Sequence, residues 1–168
     1  MLTKRGIIIL VNLVLVLVLF NLSVAEKEEV LAEGELVLLE LAPVDPRSLM
    51  QGDYMRLSYA VSQTDKLDSI PARGYAVLKL NEKQVAQLVR YQKEETPLYP
   101  QEFLLKYTKG QWSLNLGAES YFFQEGQAEL FGDARYGGLK VDDKGNSILI
   151  GLYDEHRQLI QSDHGLQE

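Results

Sequence analysis

The chain begins with one long apolar run and continues with short, alternating ones. The run, residues 6–25, follows Lys4 and Arg5 and carries no charged side chain. A run of this length is about 30 Å long as an α-helix, which matches the hydrocarbon thickness of a bilayer. The pattern therefore predicts a transmembrane helix over residues 6–25, with the lipid bilayer as its first partner.

The charges around this run predict its orientation. Basic residues lie before it, and Glu26, Glu28 and Glu29 follow it. By the positive-inside rule, residues 1–5 are expected in the cytoplasm and the rest of the chain outside it. The run would then be a signal anchor, and the chain would cross the cell membrane once. The alternative is a protein secreted after cleavage at Ala25, because small residues precede that point as signal peptidase requires.

Beyond the run, polar and apolar positions alternate in short segments. Residues 26–34 form a charged juxtamembrane segment, residues 35–153 an extracytoplasmic β domain and residues 154–168 a polar tail. Alternation with a period of two is typical of strands that bury one face. The predicted fold is therefore mainly β, an antiparallel sheet or barrel-like arrangement, with one short helix at residues 128–135 and the N-terminal transmembrane α-helix.

The individual strands follow from the same alternation. Residues 85–91 also fit helical spacing, and the β pattern around them favours a strand. Further strands are predicted at residues 35–41, 74–80, 103–107, 112–116, 121–123, 139–141 and 148–153. Another strand is predicted to begin after Gly52-Asp53. Its core-facing side chains would be those of Met55, Leu57, Tyr59 and Val61. The other aromatic residues expected in the core are Tyr107 and Trp112.

One stretch before that strand is rich in turn residues. Two prolines bracket Asp45 and keep it out of the helical region, so its carboxylate can cap nearby N–H groups. Arg47 is close enough in sequence to reach Asp45 or Asp53 with its guanidinium. The stretch predicts either a turn pinned by these residues or a polar corner that docks a partner.

Three blocks of residues carry a family resemblance. Gly52-Asp53-Tyr54, Leu57 and Tyr59 are spaced as in the signature of the GDYXXLXY family of bacterial membrane-anchored proteins, which this chain resembles. Residues 43–47 and residues 119–126 resemble that family too, although Phe123-Gln124 stand where members often carry Val-Pro. The resemblance implies a membrane anchor and an extracytoplasmic domain of uncharacterised function. The predicted interaction residues are Asp45, Arg47, Gly52, Asp53, Tyr54, Leu57, Tyr59, Glu125 and Gly126.

Charge and composition exclude several classes of function. The net charge is −7 and no basic stripe is present, so nucleic acid is not an expected partner. Cysteine is absent, which excludes disulfides and thiolate metal sites. The two histidines, His156 and His164, lie in the polar tail without a matching carboxylate spacing. Neither a metal nor another cofactor is therefore expected.

Two functions of different classes are left. The first is a non-enzymatic accessory protein whose anchor and polar corner contact another membrane protein. The second is a hydrolase of unusual mechanism that uses Ser48, Asp53 and Glu125, since an anchor, a Gly-Asp pair and the segment at 133–138 resemble type I signal peptidases. Those enzymes need a Ser–Lys pair. Residues 85–91 contain no lysine, so the resemblance supports the β fold and argues against the activity.

Overall fold

The computed structural model describes residues 4–42, 54–65, 67–124 and 126–161. Within these residues the chain forms one α-helix, α1 (Lys4–Glu33), and nine strands. The strands are β1 (Glu35–Glu40), β2 (Tyr54–Arg56), β3 (Arg73–Leu80), β4 (Ala86–Gln92), β5 (Glu102–Lys109), β6 (Leu114–Asn115), β7 (Ser120–Phe122), β8 (Tyr136–Val141) and β9 (Ser147–Tyr153). Short 3₁₀ helices lie at Ala60–Ser62, Leu67–Ser69 and Ala128–Phe131. The predicted fold class is confirmed.

Helix α1 is long and apolar enough to cross a membrane. Its most apolar window has a mean hydropathy of 2.9, and no residue of that window is buried. Two polar residues inside it are satisfied by the helix itself. The amides of Asn12 and Asn21 donate to the carbonyls of Ile8 and Leu17 at 3.0 and 2.8 Å. The helix is consistent with single-pass membrane anchoring.

The helix continues past the predicted end of the span and is joined closely to the β domain. It runs through the charged segment to Glu33, Val30 is buried, and the helix contacts β8 and β9. The Gly34 amide donates to the Val30 carbonyl at 3.0 Å, and the Lys140 ammonium donates to the Gly34 carbonyl at 2.7 Å. A single residue therefore connects α1 to β1.

The described strands form three sheets around one core. The strand orders are β1-β8-β9, β2-β7 and β4-β3-β5-β6, with antiparallel pairing throughout. The Lys106 amide joins two of the sheets by donating to the Gly145 carbonyl at 2.9 Å. The most deeply buried side chains come from β1, β3, β5, β6, β8 and β9 and from the chain after β2. They include Leu39, Tyr59, Leu78, Leu105, Leu114, Leu139 and Leu152.

Two glycines, Gly137 and Gly138, lie inside β8, directly after the residues where the sequence predicted a short helix. A Cβ on Gly137 would lie 2.8 Å from the Cε1 atom of Tyr59, and the ring of Tyr153 covers Gly138 in the same way. Glycine is needed because aromatic rings lie directly on the strand backbone. The strand predicted at 139–141 therefore begins earlier, at Tyr136, and the helix predicted at 128–135 is only the 3₁₀ turn Ala128–Phe131.

Other predictions need correction as well. Trp112 is 84% exposed in the turn between β5 and β6, so it is not a core residue. The strand after Gly52-Asp53 ends at Arg56, although the core positions predicted for it are all buried. The residues predicted as a polar tail begin with a segment that is bonded to β9, because the Ile160 amide donates to the Leu152 carbonyl at 2.9 Å.

Two neighbouring tyrosines on β4 and β5 differ in their hydrogen bonding. The rings of Tyr91 and Tyr107 meet edge to face, with centroids 5.7 Å apart. The Tyr91 hydroxyl donates to the Val61 carbonyl at 2.9 Å, whereas the buried Tyr107 hydroxyl has no partner within the described residues. Burial raises the pKa of both tyrosines. Both are therefore neutral hydroxyls at neutral pH.

This difference predicts opposite effects of the same substitution. Tyr107→Phe is expected to leave the free energy of unfolding unchanged or to raise it, because a buried polar atom is removed and no hydrogen bond is lost. Tyr91→Phe is the matched control and is expected to lower it by about 1–2 kcal/mol. Urea unfolding of the full-length protein in nanodiscs measures both. An equal loss of stability in the two variants would contradict the difference in hydrogen bonding between the Tyr91 and Tyr107 hydroxyls.

The loop at residues 93–101 is fixed by one arginine of β4. The guanidinium of Arg90 donates to both oxygens of the Glu102 carboxylate, at 2.7 and 2.9 Å, and to the Pro97 carbonyl at 2.8 Å. It also lies 5.4 Å from the centroid of the Tyr99 ring. The Glu102 carboxylate accepts a further hydrogen bond from the Tyr99 amide at 3.0 Å. These contacts tie the middle of the loop, at Pro97 and Tyr99, to β4 and β5.

This ion pair predicts that the loop loosens in acid. The hydrogen bonds from Arg90 and from the Tyr99 amide lower the pKa of Glu102. Because the pKa of Glu102 is lower in the folded protein than its ordinary value of about 4.3, the ion pair stabilises the loop fully above that ordinary value. The stabilisation is lost as the pH falls through the lower pKa of the folded protein. The protection factors of the loop amides, which correct for the slower intrinsic exchange in acid, are therefore expected to fall as the pH drops below the ordinary Glu value. Glu102→Gln should exchange faster at neutral pH and show a weaker acid effect; an unchanged pH profile would contradict this.

Candidate interaction site

The two motif blocks that lie far apart in the sequence pair directly in the fold. Strand β2 carries the start of the Tyr54–Tyr59 block, and β7 lies in the block at residues 119–126. They pair antiparallel, with Tyr54 opposite Phe122 and Arg56 opposite Ser120. The Leu57 amide continues this contact by donating to the Glu119 carbonyl at 2.8 Å. The resemblance therefore points to one structural unit.

Tyr59 fixes this unit in the core. Its side chain has no exposed surface, and its hydroxyl donates to the Ala118 carbonyl at 2.6 Å. Burial and the nearby Glu119 carboxylate raise its pKa, so the hydroxyl remains a donor. Its backbone also pairs with Leu41, the residue that follows β1. Tyr59 thus connects β1, β8 and the segment before β7, which is a structural role.

Glu119 caps the turn that leads into β7. Its carboxylate accepts the amides of Leu116 and Gly117, and its backbone carbonyl accepts the Leu57 amide. Gly117 has a φ of +81°, which glycine adopts without strain. The sequence singled out this block only through the resemblance, and the capping role of Glu119 follows from the fold.

One face of the paired strands is aromatic and open to solvent. The rings of Tyr54 and Phe122 lie 5.7 Å apart between centroids, and Phe122 is 73% exposed. Beneath them, Tyr121 and Phe123 contact the buried Phe131, with centroids 5.1 and 5.5 Å from its ring. We call this pair, the half-buried Tyr54 and the exposed Phe122, the aromatic face. The rings beneath it hold β7 against the domain and leave the face exposed.

Several predicted site residues lie outside the described residues. They are Asp45, Arg47, Ser48, Gly52, Asp53 and Glu125. The positions where the chain enters and leaves the segment 43–53 are described. The Ala42 amide donates to the Ser58 carbonyl at 2.8 Å, and Tyr54 follows the segment directly. The segment therefore leaves and rejoins the fold on the motif unit, and Gly126, with a φ of +84°, lies just beyond Glu125.

The described residues of this unit divide into buried positions and surface positions. Of the predicted site residues, Leu57 and Tyr59 are buried, and Tyr54 forms part of the aromatic face. No group of three or more metal-ligating side chains occurs within the described ranges. Phe122 was missed by the sequence analysis, because alternation alone could not show which aromatic of residues 121–123 faces outward.

These features define a small antiparallel β domain that is carried on one apolar N-terminal helix and has a two-stranded motif unit at its surface. The chain belongs to the GDYXXLXY protein family, whose model matches residues 16–152. The match runs from within α1 to within β9 and includes the two motif blocks that pair in the fold. No curated protein and no solved structure matches the chain.

Proposed function

We propose that the protein is a membrane-anchored accessory subunit that docks onto another membrane protein outside the cytoplasm. The observation that carries this proposal is the pairing of the two motif blocks around an exposed aromatic face. The buried motif residues hold the unit, while Tyr54 and Phe122 remain at the surface beside the ends of segment 43–53. Of the family-signature residues, Leu57 and Tyr59 are buried and support the unit, whereas Tyr54 lies at its surface.

The anchor supports a membrane protein as the partner. Residues 6–25 are the proposed span, and α1 continues from there to Glu33 before Gly34 joins it to β1. Eight helical residues are about 12 Å long, so the β domain is held close to the bilayer surface. A partner confined to the same membrane would meet the motif unit without diffusing in three dimensions. The basic residues before the span favour a cytoplasmic N-terminus and an extracytoplasmic domain.

The aromatic face has the chemistry of a binding anchor. Aromatic side chains bury a large area at low entropic cost, and they are enriched among residues that dominate interface energies. Phe122 has no polar group to satisfy, so its 73% exposure costs free energy in the isolated domain. Burial of the Phe122 ring against a partner would remove this unfavourable free energy. The polar residues proposed for segment 43–53, Arg47 and Asp53 among them, would supply specificity.

Co-purification from native membranes tests the proposal. Phe122→Ser is expected to weaken retention of the partner about tenfold or more, which is the effect of a hot-spot residue. Trp112→Ser is the matched control, because Trp112 is an even more exposed aromatic residue but lies in the β5–β6 turn. Arg47→Ala and Asp53→Ala should also reduce retention without unfolding the domain. Equal retention by the Phe122 and Trp112 variants would overturn the proposal.

The hydrolase alternative is decided by a separate experiment. A serine-reactive probe should not label the wild-type protein if the accessory role is correct. Labelling that disappears in Ser48→Ala would favour a hydrolase instead.

A further inference from the structure

A second apolar surface lies beside the helix, in the loop that Arg90 fixes. Leu98 and Tyr99 at the tip of the loop are exposed, by 43% and 61%, between Pro97 and Pro100. We call these four residues, 97–100, the proline loop. Its contacts to Arg90 and Glu102 hold the backbone from the β4 and β5 side, so the two apolar side chains are presented outward by a pre-organised turn.

The proline loop lies on the helix side of the domain. A cleft of about 510 Å³ separates the loop from the end of α1, and Leu98 lines it together with Glu29 and Glu33. Glu29 is only four residues beyond the proposed span, about 6 Å along the helix axis. Leu98 is therefore an exposed apolar side chain of the β domain that faces the juxtamembrane turns of α1 across this cleft.

The chemistry of the loop matches the interfacial layer of a bilayer. Tyrosine is enriched at membrane–water interfaces, where its ring is covered by apolar chains and its hydroxyl remains hydrated. Leucine and proline add apolar surface without a charge. The cleft beside the loop carries acidic residues of α1 and of the β8–β9 turn, among them Asp142 and Asp143, so attraction to anionic headgroups does not contribute.

We propose that the proline loop rests in the headgroup layer of the same bilayer that α1 crosses. This inference rests on the membrane anchoring in the proposed function. A single helix can tilt in the bilayer, and the β domain packed on its end would tilt with it. A second contact at Leu98 and Tyr99 fixes that tilt. The contact thereby fixes the height and direction at which the aromatic face meets a partner.

The single tryptophan of the chain provides the reference for a test. Trp112 lies beyond the far end of β5 from the proline loop. Strand β5 runs from Glu102 to Lys109, and eight residues of a strand are about 25 Å long. Trp112 is therefore expected to stay in water when the proline loop touches lipid.

The experiment measures tryptophan quenching by lipids that carry a doxyl group near the headgroup, in phosphatidylcholine nanodiscs with the full-length protein. In a Trp112→Phe background, Tyr99→Trp is expected to lose emission and shift to the blue, and high salt should not reverse the effect. The wild-type protein, with Trp112 alone, should not be quenched. Equal emission of the Tyr99→Trp variant with and without doxyl lipid would overturn the proposal.

A third variant separates this proposal from the anchoring on which it rests. Phe20→Trp in the same background reports on the span, with a doxyl group placed deeper in the acyl chain. Quenching in Phe20→Trp without quenching in Tyr99→Trp means that the helix is anchored and the loop proposal is wrong. Absence of quenching in both variants overturns the anchoring and the loop contact together.

Discussion

Tyr59→Ala is expected to lower the free energy of unfolding by about 3–5 kcal/mol, the usual cost of truncating a large buried aromatic side chain. The ring is fully buried and lies on Gly137, so truncation leaves a cavity beside the centre of a sheet. It also removes the hydrogen bond to the Ala118 carbonyl. A small domain has about 5–15 kcal/mol of stability, so this variant is close to unfolding at 37 °C.

Tyr59→Phe separates the two contributions. It keeps the ring and loses only the hydroxyl, so we expect a loss of about 1–2 kcal/mol. Urea unfolding of the full-length protein in nanodiscs, followed by near-UV circular dichroism, measures both variants. If Tyr59→Ala were as stable as the wild-type protein, Tyr59 would not be the residue that joins the motif unit to the core.

Val16→Arg is expected to have the second largest effect, on membrane integration. Val16 lies at the middle of residues 6–25, and an arginine at the centre of a transmembrane helix costs about 2.5–3.5 kcal/mol of insertion free energy. The fraction of protein that resists alkaline carbonate extraction should therefore fall strongly. Leu31→Arg is the matched control, because Leu31 is exposed on the same helix beyond the proposed span.

The same membranes test the cleavage alternative. Intact mass spectrometry of the wild-type protein should give the full chain if the anchor is retained, and residues 26–168 if it is cleaved at Ala25. Retention is the expected result, because α1 runs without a break through Ala25 to Glu33. A loss of residues 1–25 with an unchanged soluble domain would contradict the anchor, and Val16→Arg would then have no effect on the mature protein.

Local patterns in the sequence were sufficient for much of the fold. The apolar run predicted α1, and alternation predicted most of the strands, including β4, where helical spacing competed. Met55, Leu57 and Val61 are buried as predicted, even though the strand ends at Arg56. The alternation predicted which side of the chain faces the core, and burial depends on that side.

The parts that the sequence did not predict depend on contacts between distant residues. The pairing of β2 with β7 joins residues more than sixty positions apart, and only the fold shows that the two motif blocks touch. Gly137 and Gly138 look like a helix stop until the rings of Tyr59 and Tyr153 are placed on them. Trp112 was assigned to the core by its residue type, but the turn between β5 and β6 places it in solvent.

The candidate site was predictable to a smaller extent. The family resemblance identified Tyr54, Leu57 and Tyr59, yet it could not separate the buried frame from the exposed face. The residues of segment 43–53 and Glu125 lie outside the described residues, so their role in docking stays a prediction. Phe122 became a candidate only when its pairing with Tyr54 and its exposure were known.

Photo-crosslinking in native membranes tests the central claim most directly. A photoreactive phenylalanine analogue is placed at position 122 in one sample and at position 112 in another, since both native side chains are exposed aromatics. The account predicts one membrane-protein adduct from position 122 and none from position 112. The absence of an adduct at position 122, or the same adducts from both positions, would contradict a docking site at the aromatic face.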